Sequence, residues 1–129
     1  MPKIDYRRRI LPDIEMYGGS TDSWEIPLYH DKGSRVTYRE AQSATYRLVI
    51  NDYGYAHRSN GTTYFVLTKS GSIIYDDDQE SALLLFRFTK NDTFARYGKF
   101  TYQVIAEAVD GTYRNVAQGN LYITKAIDQ

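Results

Sequence analysis

Apolar and polar residues alternate most regularly near the C-terminus, between Gly98 and Ala108. Positions 100, 102, 104, 106 and 108 are apolar or aromatic, whereas positions 101, 103 and 107 are polar. Because side chains on a strand point alternately to its two faces, this period of two predicts a strand with one buried face. Asp110-Gly111 is a typical hairpin turn, and the run from Tyr113 to Thr124 predicts the returning strand.

The same alternation, or a β-branched and aromatic composition, predicts short strands along the rest of the chain. The predicted strands are 13–17, 24–29, 44–50, 62–68, 72–75, 82–89, 99–108 and 113–124. Ser70-Gly71 predicts a tight turn, across which residues 72–75 pair back onto the preceding strand. Residues 76–88 also fit a capped helix, but the composition Phe86-Arg87-Phe88-Thr89 favours a strand. Residues 91–96 predict one helical turn.

Two residues within the predicted strands constrain how those strands pair. Pro27 has no N–H to donate, so its strand is predicted to lie at a sheet edge or to be bulged there. Gly119 interrupts the last strand, which predicts a bulge or a close approach by another group. Pro27 and Gly119 therefore indicate where strands lie or bend in a sheet, which the alternation of apolar and polar residues does not indicate.

Seven or eight short strands without strand–helix alternation predict an all-β fold, an antiparallel β-sandwich. The 129 residues fit a single domain. We expect residues 1–12 to form an N-terminal arm and residues 13–129 to form the sandwich. The predicted core consists of Trp24, Ile26, Leu28, Tyr46, Leu48, Ile50, Phe86, Phe88, Phe100, Tyr102, Val104, Leu121 and Ile123.

Composition narrows the classes of partner. The chain has no cysteine, which excludes disulfides and thiolate chemistry. Sixteen basic and sixteen acidic residues give a formal net charge of zero, so no overall field favours nucleic acid or membranes as partners. A surface with almost no net charge is poorly protected against association, which is consistent with a protein that contacts other proteins. The N-terminus lacks a signal-peptide pattern and no stretch is long and apolar enough to span a membrane.

Residue chemistry points to no enzyme, no metal and no cofactor. His30 and His57 have no carboxylate or second histidine at ligand spacing, so they are predicted to be structural or exposed. No Gly-x-Ser-x-Gly motif is present. The run 76–78 is three aspartates without the alternating spacing of a calcium loop, which predicts a solvated acidic turn.

Two groups of residues are candidates for binding. Tyr6, Arg7, Arg8 and Arg9 form a basic segment in the arm that suits docking on an acidic partner; otherwise it is a solvated terminus. Three adjacent arginines are too few to indicate nucleic-acid binding. The second candidate group comes from the thirteen tyrosines of the chain, whose rings suit strands, interfaces or sugar stacking. The tyrosines suited to stacking on a glycan are Tyr53, Tyr55 and Tyr64.

The order of these segments resembles that of the immunoglobulin-like domains of phage and prophage tail proteins, especially the N-terminal domain of upper baseplate proteins from phages of Gram-positive bacteria. The resemblance covers about residues 13–127. The segments that carry it are Trp24-Glu25-Ile26-Pro27-Leu28 after Thr21-Asp22, the strand 44–50, Phe86-Arg87-Phe88-Thr89 with Asp92-Thr93, Gly98-Lys99-Phe100-Thr101-Tyr102, Asp110-Gly111 and Gly119-Asn120-Leu121-Tyr122-Ile123. The chain departs from antibody domains because it lacks their cysteine pair, with Tyr102 where the second cysteine is expected and Trp24 on an early strand.

This resemblance implies a non-enzymatic structural or adaptor component of a phage or prophage tail, similar to a baseplate part. Its implied partners are other tail or baseplate proteins and further copies of itself. The implied location is the virion, after synthesis in the bacterial cytoplasm without a signal peptide. Complete baseplate proteins continue into a stalk or receptor-binding region, so the chain is either a stand-alone tail component or one domain of a longer protein. The alternative function is a carbohydrate-binding β-sandwich module.

Overall fold

A computed structural model describes residues 6–52, 66–77, 80–93 and 97–124. The described residues form nine strands and two single-turn helices. In chain order these are β1 (Arg9–Ile10), β2 (Ile14–Tyr17), β3 (Asp22–Pro27), α1 (Tyr38–Ala41), β4 (Ala44–Asp52), β5 (Val66–Ser70), β6 (Ser72–Asp76), β7 (Ser81–Phe88), α2 (Lys90–Thr93), β8 (Gly98–Ala108) and β9 (Tyr113–Thr124).

The strands form two sheets, which confirms the predicted all-β sandwich. The larger sheet has the order β1-β9-β8-β4-β5, with β2 also paired to β9, and the smaller sheet has the order β3-β7-β6. Pairing is antiparallel except that β1 and β2 run parallel to β9, which the sequence did not predict.

All thirteen predicted core side chains are buried, and the most exposed of them, Trp24, is only 7% exposed. Trp24 on β3 lies with its ring centroid 5.3 Å from that of Tyr102 on β8 and 4.6 Å from that of Phe88 on β7. This aromatic contact between Trp24 and Tyr102 connects the two sheets, because β3 belongs to the smaller sheet and β8 to the larger one.

The predicted hairpin across Ser70-Gly71 is wrong. Strand β5 pairs with β4 in the larger sheet, whereas β6 pairs with β7 in the smaller one, so the chain crosses between the sheets at Gly71. The Gly71 N–H donates to the carbonyl of Tyr46 at 2.9 Å. A Cβ on Gly71 would lie 2.7 Å from Cε1 of Phe86, so the crossing has no room for a side chain.

The structure confirms the topological predictions for both Pro27 and Gly119. Strand β3, which ends at Pro27, is an edge strand of the smaller sheet. A Cβ on Gly119 would lie 2.7 Å from the hydroxyl of Tyr102, which is the close approach that the interrupted strand predicted. The irregular register in this hairpin falls elsewhere, opposite Val104 and Ile105 of β8.

Helical structure is limited to two single turns in the described residues. The segment from Ser81 to Phe88 is a strand, as the composition favoured, and not a helix. The predicted turn 91–96 is α2, although residues 94–96 lie outside the described part of the chain. Helix α1 was not predicted. It begins at a capping box, in which the Glu40 N–H donates to Thr37 Oγ1 at 3.1 Å and the Thr37 N–H donates to Glu40 Oε1 at 3.0 Å.

Candidate functional site

Residues 6–11, which belong to the predicted arm, lie against the sandwich. Tyr6 forms an isolated antiparallel bridge with His30, in the segment after β3, and the Arg7 N–H donates to the Tyr29 carbonyl at 2.8 Å. Farther along, β1 pairs with β9, and the Leu11 N–H donates to a carbonyl of β9 at 2.8 Å. The segment therefore runs from the residues that follow β3 to β9 in the larger sheet.

Tyr6 anchors the start of this segment. Its hydroxyl lies 2.7 Å from the hydroxyl of Tyr46, which in turn donates to the carbonyl of Ala41 at 3.1 Å. Tyr6 therefore donates to Tyr46. Burial raises the pKa of both phenols, so both stay neutral and keep these hydrogen bonds at physiological pH. Tyr6 and Leu11 also pack against the core, so the arginines between them are attached to a fixed backbone.

Three consecutive arginines and their neighbours form a groove of about 450 Å³. The lining residues are Arg7, Arg8, Arg9, Ile10, Tyr29 and Gly33. Three of the four arm residues singled out from sequence, Arg7, Arg8 and Arg9, line this groove. We therefore treat it as the candidate functional site.

Each arginine of the groove is positioned differently. The Arg9 guanidinium lies 4.5 Å from the centroid of the Tyr29 ring, a cation–π contact, and Arg35 approaches the same ring at 5.6 Å. Arg8 donates from Nε at 3.2 Å, and from Nη2, to Oε1 of Gln118 on β9. Arg7 is exposed on the side of the loop after β3.

Gly33 closes the turn in that loop, next to the Arg7 side chain. Its φ of +102° is in the region that favours glycine, and its N–H donates to the His30 carbonyl at 2.9 Å to close the turn. A Cβ at this position would lie 3.7 Å from Nη1 of Arg7, which is ordinary van der Waals contact. The glycine is thus required by the turn, and not by crowding from the arginine.

The groove carries an excess of positive charge. Within residues 6–52, 66–77, 80–93 and 97–124, no ion pair involves Arg7, Arg8 or Arg9, and the side-chain hydrogen bonds of Arg8 go to an amide. Arg35, behind Tyr29, differs because it contacts Asp76 at 3.4 Å. The three guanidinium groups of the groove therefore keep their capacity to bind carboxylate or phosphate oxygens.

His30 contacts a carboxylate that sequence spacing did not reveal. Its Nε2 lies 3.1 Å from Oε1 of Glu40, ten residues along the chain. The backbone N–H of Thr37 is the main cause that lowers the pKa of Glu40, and His30 lowers it further. The capping box Thr37-x-x-Glu40 is the signal that places this carboxylate at a helix start. Because the contact links the loop after β3 to α1, His30 has a structural role.

Several predicted residues fall elsewhere. The glycan-stacking candidates Tyr53, Tyr55 and Tyr64, together with His57, lie outside the described residues. The described part of the acidic run includes Asp76, which contacts Arg35. In the described ranges, no group of three His, Cys, Asp or Glu side chains is placed to hold a metal ion. None of the helices in those ranges is long and apolar enough to cross a membrane.

Four residues that line the groove or hold one of its arginines were not singled out from sequence: Ile10, Tyr29, Gly33 and Gln118. Their proximity to the arginines depends on the packing of the arm, so no local pattern reports it. A scan of protein-family models and a search of curated proteins found no match to this chain.

Proposed function

We propose that the chain is a non-enzymatic structural or adaptor component of a phage or prophage tail, similar to a baseplate part, that assembles through protein–protein contacts. The partners in this proposal are other tail or baseplate proteins and further copies of the chain in the virion. The resemblance of the segments from Trp24 to Ile123 to tail-protein domains supports the tail setting. The groove lined by Arg7, Arg8 and Arg9 supports the assembly role.

One observation carries the assembly role: the arginine side chains are attached to a backbone segment that the domain itself fixes. A disordered basic terminus loses conformational entropy when it binds, and this weakens its binding. Here Tyr6 and Leu11 pack against the core on either side of the arginines. The basic surface is therefore partly preorganised, as expected for an adaptor that docks on another protein.

The tail role is tested in the bacterium that carries the gene. The chain is tagged, the prophage is induced, and the particles are purified on a density gradient and analysed by mass spectrometry and immunogold microscopy. We expect the chain to co-purify with tail structures at a fixed stoichiometry. Absence from intact particles, with the chain present in the lysate, contradicts the proposal.

Self-association is tested with the purified chain by sedimentation velocity across a concentration series. We expect an oligomer that forms with rising concentration in the unmodified chain. Arg7→Glu, which reverses a groove charge, should weaken it if copies contact through the groove. Arg87→Glu is the matched control, because Arg87 is exposed on β7 of the smaller sheet. A sedimentation coefficient that stays equal to that of the monomer at all concentrations contradicts self-association.

The carbohydrate-binding alternative depends on Tyr53, Tyr55 and Tyr64, which lie outside the described residues. It remains a prediction from sequence. A glycan array is the measurement that tests it, because Trp24 is buried in the core and its fluorescence does not report on a surface site.

A further inference from the structure

We propose that the arginine groove binds an acidic peptide segment of a partner protein, in which carboxylates flank an apolar residue. This inference rests on the proposed assembly function and adds the chemistry of the partner. The groove is lined by Arg7, Arg8, Arg9, Ile10, Tyr29 and Gly33.

The charged part of the site suits carboxylates. A guanidinium donates two parallel hydrogen bonds to one carboxylate, and such pairs are stronger than neutral hydrogen bonds. Arg9 is held with its guanidinium carbon 4.5 Å from the centroid of the Tyr29 ring, a cation–π contact that restricts its position beside the groove. Arg8 is held by Gln118. Because two of the three side chains are already positioned, less rotamer entropy is lost on binding.

The apolar part of the site distinguishes a peptide from a simple anion. Ile10 is 81% exposed at the groove, although a large aliphatic side chain of this kind usually gains from burial. Tyr29 is another of the lining residues, and its ring adds a second apolar surface to the groove. A phosphate or sulfate ion leaves both surfaces in water. A peptide with an apolar side chain between its carboxylates does both things at once. The apolar side chain covers Ile10, and the carboxylates form ion pairs with the arginines.

The position of the site favours an extended ligand. Strand β1, which carries Arg9 and Ile10, lies at an edge of the larger sheet. An extended peptide is able to run beside such an edge and present alternate side chains to the groove. At about 450 Å³ the groove accommodates several side chains. The formal net charge of zero supplies no long-range attraction for a polyanion, so a nucleic acid is the less favoured partner.

The test is fluorescence anisotropy of a labelled pentapeptide of the pattern Asp-Glu-Leu-Glu-Asp with the whole chain, titrated at low and at physiological salt. The matched ligand is the amide peptide Asn-Gln-Leu-Gln-Asn, and the matched polyanion is a thymidine oligonucleotide of equal charge. We expect the acidic peptide to bind, the amide peptide to bind at least about tenfold more weakly, and added salt to weaken the complex.

Variants then locate the binding. Arg7→Glu changes an exposed side chain that has no ion-pair partner among the described residues, so the fold should be unaffected, and we expect at least about tenfold weaker binding. Ile10→Ser should weaken binding of the acidic peptide, but it should not change the binding of a peptide in which glycine replaces the leucine. Arg87→Glu makes the same charge change on β7 and should alter affinity by less than about twofold.

Three outcomes overturn the inference. The first is that the acidic peptide does not bind at low salt. The second is that Arg7→Glu and Arg87→Glu lose the same affinity for the acidic peptide. The third is that the oligonucleotide binds more tightly than the acidic peptide. The first two results leave the tail role intact if the chain still co-purifies with particles. Conversely, peptide binding that depends on Arg7 stands even if the chain is absent from particles, so the two proposals fail separately.

Discussion

Replacing Tyr102 by phenylalanine should stabilise the domain, although removal of a buried tyrosine hydroxyl ordinarily destabilises a protein. The side chain is 0% exposed, and its hydroxyl oxygen has no hydrogen-bond partner among the described residues. A buried polar group without a partner costs about 1–3 kcal/mol of desolvation. The phenylalanine keeps the ring, and with it the contact to Trp24, while it removes that cost. We expect a gain of about 1 kcal/mol, or a rise in Tm of about 4 °C for a chain of this size.

Tyr46→Phe is the matched control, because this buried hydroxyl has two partners. It lies 2.7 Å from the hydroxyl of Tyr6 and 3.1 Å from the carbonyl of Ala41. Its removal should lower the free energy of unfolding by about 1–2 kcal/mol. Urea unfolding followed by Trp24 fluorescence reports both variants, since the only tryptophan is buried with its ring 5.3 Å from that of Tyr102.

A double-mutant cycle with Gly119→Ala tests the same contact from the other strand. The new methyl carbon would lie 2.7 Å from the Tyr102 hydroxyl and 2.9 Å from Cζ, so the single variant should lose about 1–3 kcal/mol by overpacking. In the Tyr102→Phe background the shorter contact is gone, and the loss should be smaller. If Tyr102→Phe instead destabilises the domain by as much as Tyr46→Phe does, the hydroxyl has a partner and the reasoning is wrong.

Three further changes test other parts of the packing and its dependence on pH. Gly71→Ala places a methyl carbon 2.7 Å from Cε1 of Phe86 at the crossing between the sheets, so it should lose about 1–3 kcal/mol in thermal unfolding; an unchanged Tm contradicts the crossing. The Thr37 N–H holds the pKa of Glu40 below its ordinary 4.5, so this stabilisation is complete above that pH and is lost as the pH falls through the folded-state pKa. Glu40→Gln should make acid unfolding below pH 4.5 less steep, and identical acid curves for the two proteins refute this. Burial, and then the charge of Asp13, raise the pKa of Tyr102 from 10.0 to about 12, so stability should fall as the pH rises through this interval. Tyr102→Phe should remove part of that loss of stability. If stability falls equally with pH in the variant and in the unmodified chain, this prediction is wrong.

The alternation of apolar residues located the core because burial of one face imposes a period of two on a strand. Trp24, Tyr102 and Leu121 are buried as the pattern predicts. The pattern does not report which strand a segment pairs with. Ser70-Gly71 has the composition of a hairpin turn, but the space beneath it is occupied by Phe86 from the other sheet.

The candidate site was only partly accessible from sequence for a similar reason. Three adjacent arginines are visible in the sequence, and the expectation that they contact an acidic partner needs only their charge. Their attachment to the domain depends on Tyr6, Tyr29 and Gln118, which are separated from them in sequence or carry no distinctive pattern. Helix α1 had a usable signal in its capping box, but one turn of helix is too short to show an apolar period.

The parallel pairing of β2 with β9 also determines when this protein finishes folding. A hydrogen bond between Asp13 and Asn120 joins positions 107 residues apart, and the neighbouring strands pair at the same separation. Ribosomes add about 5–20 residues per second, so the first strands wait roughly 5–20 s for their partner to be translated. Contacts between such distant positions also slow folding itself. The nascent chain therefore carries an unpaired first strand for most of its synthesis, and only the arrival of the final strand completes the larger sheet.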